Sequence, residues 1–152
     1  MPHFATAAPE LAQRGITSMS RVLVLEHDRG SLAIQERVFT TTPVLHLTID
    51  QQPLVVWWSP GVRSALDRRR IDRSKPIGSV GVFYARMHGQ PLSFRAVGPG
   101  RFTDHQTNST WDHTGACVAG DLTGSRLERR QHVRPFAFAV PLHFPGATWY
   151  QP

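Results

Sequence analysis

Between residues 104 and 113 the chain gathers side chains able to do chemistry: Asp104, Thr107, Ser109 and Trp111, with His105 and His113 beside them. In an extended strand residues 107, 109 and 111 point to one face, which sets two hydroxyls beside an indole, a small polar site against an apolar wall. With His105 or His113 as base, Asp104, Thr107 and Ser109 would serve a hydrolase or transferase, because a serine hydroxyl attacks only when a base within hydrogen-bond reach takes its proton. The same residue types also make turns. An aspartate accepts N–H bonds from residues two or three further on, and an indole at 111 then simply fills the core. Asp, Thr and Ser are the usual turn formers, so the turn reading is favoured. The catalytic candidates are Asp104, Ser109 and His113; the binding candidates are Ser64, Asp67, Asp104, Thr107, Ser109 and Trp111.

Other nucleophiles are Ser59, Ser64 and Cys117, but no Gly-x-Ser-x-Gly elbow is present to expose a serine on a strand-to-helix turn. Cys117, between Ala116 and Val118, reads as a small buried hydrophobe. A single cysteine excludes an internal disulfide and a cysteine-based zinc site. Eight histidines include no His-x-x-x-His, His-Glu-x-x-His or His-x-His spacing, so neither a metal nor a cofactor is expected. No phosphate-cradling glycine loop or dinucleotide fingerprint occurs. Asn108-Ser109-Thr110 fits a glycosylation sequon but reads as chance in a chain without a secretory signal.

The net charge is +6, with 17 Lys+Arg against 11 Asp+Glu, and the basic residues concentrate from Arg63 to Lys75. Arg68, Arg69, Arg70 and Arg73 are the anion-binding candidates there, since guanidinium pairs bidentately with phosphate or carboxylate. Asp67 and Asp72 dilute the cluster and no aromatic is interleaved for base stacking. Nucleic acid is therefore disfavoured as a partner, and a small molecule is the partner left open.

The elements that must position these groups are short. About a quarter of the residues are Leu, Ile, Val or Phe, enough to exclude wholesale disorder. The longest apolar run, Leu54 to Trp58, is far below the roughly 20 residues of a membrane-spanning helix. Arg21 to Leu25 before Asp28-Arg29-Gly30 reads as strand and turn. Along Val44–Ile49, Leu45, Leu47 and Ile49 alternate with His46 and Thr48, as in a half-buried strand, and Leu54–Trp58 reads as a central strand covered on both faces. Val80 to Ala85 and Leu92 to Val97 read as strands joined around His88-Gly89. Glycines at 115, 120 and 124 suggest successive turns. Phe136, Val140 and Phe144 fit one helical face with Pro135 in its first position, and Pro141 should break that helix early. The expectation is a mainly β fold: a single antiparallel barrel-like or sandwich-like domain over residues 21–152 with a short C-terminal helix, preceded by a poorly ordered arm over 1–20. Met1 to Ser20 lacks the continuous apolar centre of a secretory signal, so a cytoplasmic chain is expected.

Two blocks carry a resemblance. One is Trp57-Trp58-Ser59-Pro60-Gly61-Val62-Arg63-Ser64-Ala65-Leu66-Asp67. The other holds Asp104, Thr107, Ser109 and Trp111 and continues through Gly115, Gly120, Leu122, Gly124, Arg126 and Leu127. Over Arg21 to Tyr150 the chain resembles the bacterial and archaeal family catalogued as domain of unknown function 3179, whose members show D-x-x-T-G-S-x-W running into a glycine-spaced segment. Many relatives have Cys-Pro-x-Cys at the first block and Trp-His-Glu upstream. This chain has Ser59-Pro60-Gly61-Val62 and Thr41-Thr42-Pro43 there, and is similar to a branch without the cysteines. The resemblance implies a relative without a known reaction, one lacking the thiols and imidazole suited to redox or metal chemistry. Three functions stay open: a non-enzymatic small-ligand-binding or structural β domain, which leads; the hydrolase or transferase; and weak anion or nucleic-acid binding through Arg63–Lys75.

Overall fold

The computed structural model describes residues 16–17, 19–60 and 78–151. The fold is mainly β, and its strands group into two compact units, one built from the segments up to residue 41 and from 131 on, the other from residues 42–130.

In the first unit β1 (Val22–His27) and β2 (Gly30–Gln35) form an antiparallel hairpin in which His27 pairs with Gly30 across Asp28-Arg29. A 3-10 turn, Glu36–Thr40, follows. Val22, Leu23, Val24 and Leu25 are all buried, so β1 is covered on both faces. Ile16, Ala33, Ala137, Val140 and Trp149 pack with Val22 and Val24 in one cluster. Ile16 lies within the arm expected over 1–20, of which residues 1–15 and 18 fall outside the described ones. Arg134 closes the chain's return with a two-pronged ion pair to Glu36, Nε to Oε2 at 2.6 Å and Nη2 to Oε1 at 2.7 Å.

In the second unit β3 (Val44–Ile49), β4 (Gln52–Ser59) and β5 (Ser79–Tyr84) form an antiparallel sheet with β4 in the middle. Leu54 to Trp57 are buried, as a central strand requires, and His46 and Thr48 are exposed opposite buried Leu45 and Ile49. β6 (Arg86–Met87) and β7 (Gln90–Pro91) make a small hairpin. Its loop is His88-Gly89, with φ of 52° and 77°, the positive pair that a two-residue hairpin needs to match the strands' twist. β8 (Phe94–Gly98), β9 (Arg101–Asp104), β10 (Thr110–Asp112) and β11 (Cys117–Ala119) form the second sheet, in the order β11-β10-β9-β8.

The two sheets of this unit share one core. Trp57 of β4 stacks on Phe102 of β9 with centroids 4.2 Å apart and meets Phe94 of β8 edge-on at 5.4 Å. Phe94 in turn meets Trp111 of β10 edge-on at 5.9 Å. Offset and edge-on aromatic pairs each add about 0.5–1.5 kcal/mol beyond the area they bury. Trp57 also donates its indole N–H to His113 O at 3.0 Å. None of the described sheets closes on itself, so of the two expected architectures the sandwich-like one fits.

Three local expectations need correction. Val80–Ala85 and Leu92–Val97 do not pair with each other: β5 joins β4, β8 joins β9, and His88-Gly89 turns only the short β6–β7 hairpin between them. The strands β9, β10 and β11 occupy a stretch read as turns; they are only three or four residues long, too short for alternation to show. The C-terminal helix, α1 (Ala139–His143), begins later than the Phe136 spacing predicts. Phe136 instead bridges Arg21, whose guanidinium lies 3.9 Å from the ring centroid. Pro141 therefore falls in the first turn of α1, where its missing N–H has no helical partner to lose, rather than breaking a longer helix. After α1, β12 (Thr148–Trp149) runs parallel to β2, a pairing across the whole sequence that no local pattern announces.

Candidate functional site

The structure brings Asp104, Thr107, Ser109 and Trp111 together at the turn from β9 into β10. Asp104 is fully buried. Its Oδ2 accepts the Thr107 backbone N–H at 2.6 Å, and its Oδ1 accepts the Ser109 backbone N–H at 3.1 Å and the Trp111 indole N–H at 2.9 Å. Thr107 Oγ1 lies 3.0 and 2.8 Å from the two carboxylate oxygens. The backbone closes the same turn, with Asp104 N–H donating to Ser109 O and Asn108 N–H to Asp104 O. Asn108 sits at φ 56°, where Asn is among the better tolerated non-glycine residues.

Proton counting fixes the direction of the hydroxyl chain. Thr107 has one proton, which goes to the carboxylate, an acceptor only. The 2.7 Å contact between Thr107 Oγ1 and Ser109 Oγ must then be donated by Ser109, and Ser109 Oγ accepts the Leu122 backbone N–H at 3.2 Å. Both hydroxyls point their protons inward, toward Asp104. Ser109 is itself fully buried. A nucleophilic serine needs its proton on a base that can carry it away. Here the proton faces a threonine oxygen instead.

The carboxyl is held below the usual aspartate range. Burial alone pushes it up, but the bonds from the Trp111 indole, Thr107 and Ser109 together outweigh it, since donors aimed at a carboxylate favour its charged form. An acid so disposed stays ionised at neutral pH and has no proton to give. Gly120, at φ +99°, completes the corner: a β-carbon there would lie 2.7 Å from Ser109 Cα. Sequence reasoning did not connect Gly120 or Leu122 to Ser109, although both fall in the glycine-spaced block.

His105 and His113 are not part of this network. His105 starts the turn into β10, with an exposed side chain and its backbone N–H donated to Ser93 O at 2.9 Å. His113 lies at the other end of β10. There Asp112 Oδ1 accepts from Thr114 N–H, Thr114 Oγ1 and Ala116 N–H at 2.9, 2.5 and 3.2 Å. The His113 imidazole lies beside the Gly100 turn instead. A β-carbon built on Gly100, at φ +66°, would sit 2.9 Å from Ser59 Oγ and 3.8 Å from His113 Nδ1. Glycine thus lets the turn between β8 and β9 close onto the Ser59 hydroxyl with His113 beside it, where a methyl group would have no room. Ser64, Asp67, Arg68, Arg69, Arg70 and Arg73 lie outside the described residues. Cys117 is buried, with its thiol 3.3 Å from Ala119 O.

The sequence profile of the family described as protein of unknown function (DUF3179) matches residues 2–147. The chain belongs to this family. No curated protein and no solved structure matches it. Within the 42–130 unit Trp58 N–H donates to Pro43 O at 3.0 Å, so Pro43 lies beside the end of β4, next to Ser59. Among the described residues no three of His, Cys, Asp and Glu are grouped to hold a metal ion, and no helix is long and apolar enough to cross a membrane.

Proposed function

We propose that this DUF3179 chain is a non-enzymatic β domain that binds a small molecule, with the Asp104 turn acting as an internal clasp and not as catalytic machinery. The carrying observation is the fully buried Asp104 carboxylate, ringed by donors from Thr107, Ser109 and Trp111 whose protons all converge on it. Acid–base catalysis needs a group within reach of substrate and able to exchange a proton; this carboxylate meets neither requirement.

The exposed His113 side chain is the better place for a ligand. It lies with the Ser59 hydroxyl beside the closely packed Gly100 turn, and the Trp57 indole fixes the His113 backbone. A hydroxyl and an imidazole suit a small polar molecule carrying both donors and acceptors. The test is a thermal-shift screen of metabolites and metal salts, because whatever prefers the native state raises its melting temperature. A compound that raises Tm in the wild type and in Ser109→Ala, but not in His113→Ala or Ser59→Ala, supports the reading. An Asp104→Ala protein with unchanged Tm and a lost ligand response, or ester hydrolysis abolished by Ser109→Ala, would overturn it.

A further inference from the structure

We infer that His46 is a pH-responsive latch between the two sheets of the 42–130 unit, closed when its imidazole is neutral and released when it is protonated. His46 projects from β3, and its Nε2 accepts the backbone N–H of Phe94, the first residue of β8, at 3.0 Å. The two rings lie nearly parallel, 13° apart, with centroids at 6.4 Å. β8 is an edge strand of its sheet, and an edge presents unpaired backbone groups unless something covers them. His46 covers one of them.

An Nε2 that accepts must carry no proton, so the neutral ring holds its hydrogen on Nδ1. Protonation turns Nε2 into a donor facing another donor, and the bond is replaced by repulsion. The imidazole is only partly covered, so protons reach it without unfolding. The groups around it decide when this happens. His105, on the turn into β10, is the titratable neighbour whose electrostatic influence reaches His46. Across β4 the partner is Val55, β8 offers the Phe94 ring, and Val44 and Thr48 follow on the same side of β3; none of these titrates. Partial burial first, and His105 second, make protonation of His46 harder than for a free histidine, which keeps the latch shut at neutral pH. The Ser93 backbone N–H, held by Gln106 Oε1 at 2.9 Å, ties the neighbouring residue to the same turn that carries His105.

The experiment is hydrogen exchange of the Phe94 amide in the full chain, corrected for intrinsic exchange, alongside the NMR titration of the His46 ring. Between pH 7.5 and 5.0 the Phe94 protection factor is expected to fall about tenfold, the worth of one lost hydrogen bond, while the amides of Val55 and Trp57 keep theirs. In His46→Gln, a non-titrating acceptor, the local fall is expected to disappear. In His105→Gln the midpoint of His46 is expected to move up. Constant Phe94 protection through the His46 titration, the same fall in His46→Gln, or an unmoved midpoint in His105→Gln would overturn the latch.

Discussion

The turns that enter and leave β10 begin with the same dipeptide, Asp104-His105 on one side and Asp112-His113 on the other, and both aspartates bind the backbone just ahead of them. They differ in depth and reach. Asp104 is fully buried and gathers Thr107, Ser109 and the indole of Trp111, seven residues on. Asp112 is half-buried and gathers only Thr114 and Ala116. The first turn is bound into the core through Trp111, whereas the second is a local Asx turn. The histidines diverge as well: His105 belongs to the electrostatic surroundings of His46, and His113 lies beside the Gly100 turn with Ser59. One dipeptide motif thus serves four different ends, decided by what packs around it and not by the residues themselves.

The sharpest way to break this contrast is Asp104→Ala. It leaves the Trp111 indole N–H and the Thr107 and Ser109 backbone N–H groups without their acceptor in a dry corner. Each abandoned buried donor costs about 1–3 kcal/mol, so urea denaturation should show a loss of about 4 kcal/mol. A loss under about 1 kcal/mol would place Asp104 in the same class as Asp112, since a local turn contact is worth no more.

Gly120→Ala attacks the clasp from outside. The new methyl would stand 2.7 Å from Ser109 Cα at a φ of +99°, and backbone cannot swing aside as a flexible side chain can. Strain and crowding together should cost about 3 kcal/mol. A neutral result would mean that the 104–109 turn yields freely, contrary to a clasp. Trp111→Phe comes next. It keeps an aromatic ring against Phe94 but removes the indole N–H bond to a charged acceptor, an expected loss of about 2 kcal/mol by the same denaturation.

Much of this was legible in the sequence where chain length allowed a pattern. The alternation of Leu45, Leu47 and Ile49 with His46 and Thr48, and the unbroken run Leu54–Trp58, placed a half-buried strand and a central strand correctly, whereas His88-Gly89 marked a turn but not its partners: it joins β6 to β7, and β5 and β8 go to different sheets. Asp104, Thr107, Ser109 and Trp111 were legible as a group because turn chemistry acts over a few residues. What the sequence hid is non-local. β9 and β10 interleave polar residues with one aromatic each, Phe102 and Trp111, and the burial of Asp104 between them becomes tolerable only once its hydrogen bonds satisfy it. Gly120 and Leu122 reach Ser109 from over ten residues away, and Gly100 meets Ser59 and His113 only after two sheets have packed. Pro141 misled because its place within a helix depends on where the helix begins.

The smallest expected effect falls on the other turn, and pH separates it from the first. Asp112→Ala should cost about 1 kcal/mol, because half-buried Thr114 and Ala116 N–H groups can turn to water. Both carboxyls sit below the ordinary aspartate value. At each, burial pushes up and is outweighed, by Trp111, Thr107 and Ser109 at Asp104, and by Thr114 and Ala116 with a minor share from His113 at Asp112. In acid the unfolded chain therefore takes up these protons first, so stability rises with pH there. The contribution is complete above the ordinary value near 3.8 and is lost as pH falls through each folded value. Removing a carboxyl should remove its share of that slope. Asp104→Asn should flatten the acid limb of stability between about pH 5 and 2, whereas Asp112→Ala should leave most of it. Equal flattening in both variants would mean that a core indole adds nothing to what a surface turn already supplies, and the division between the two Asp-His turns would fall.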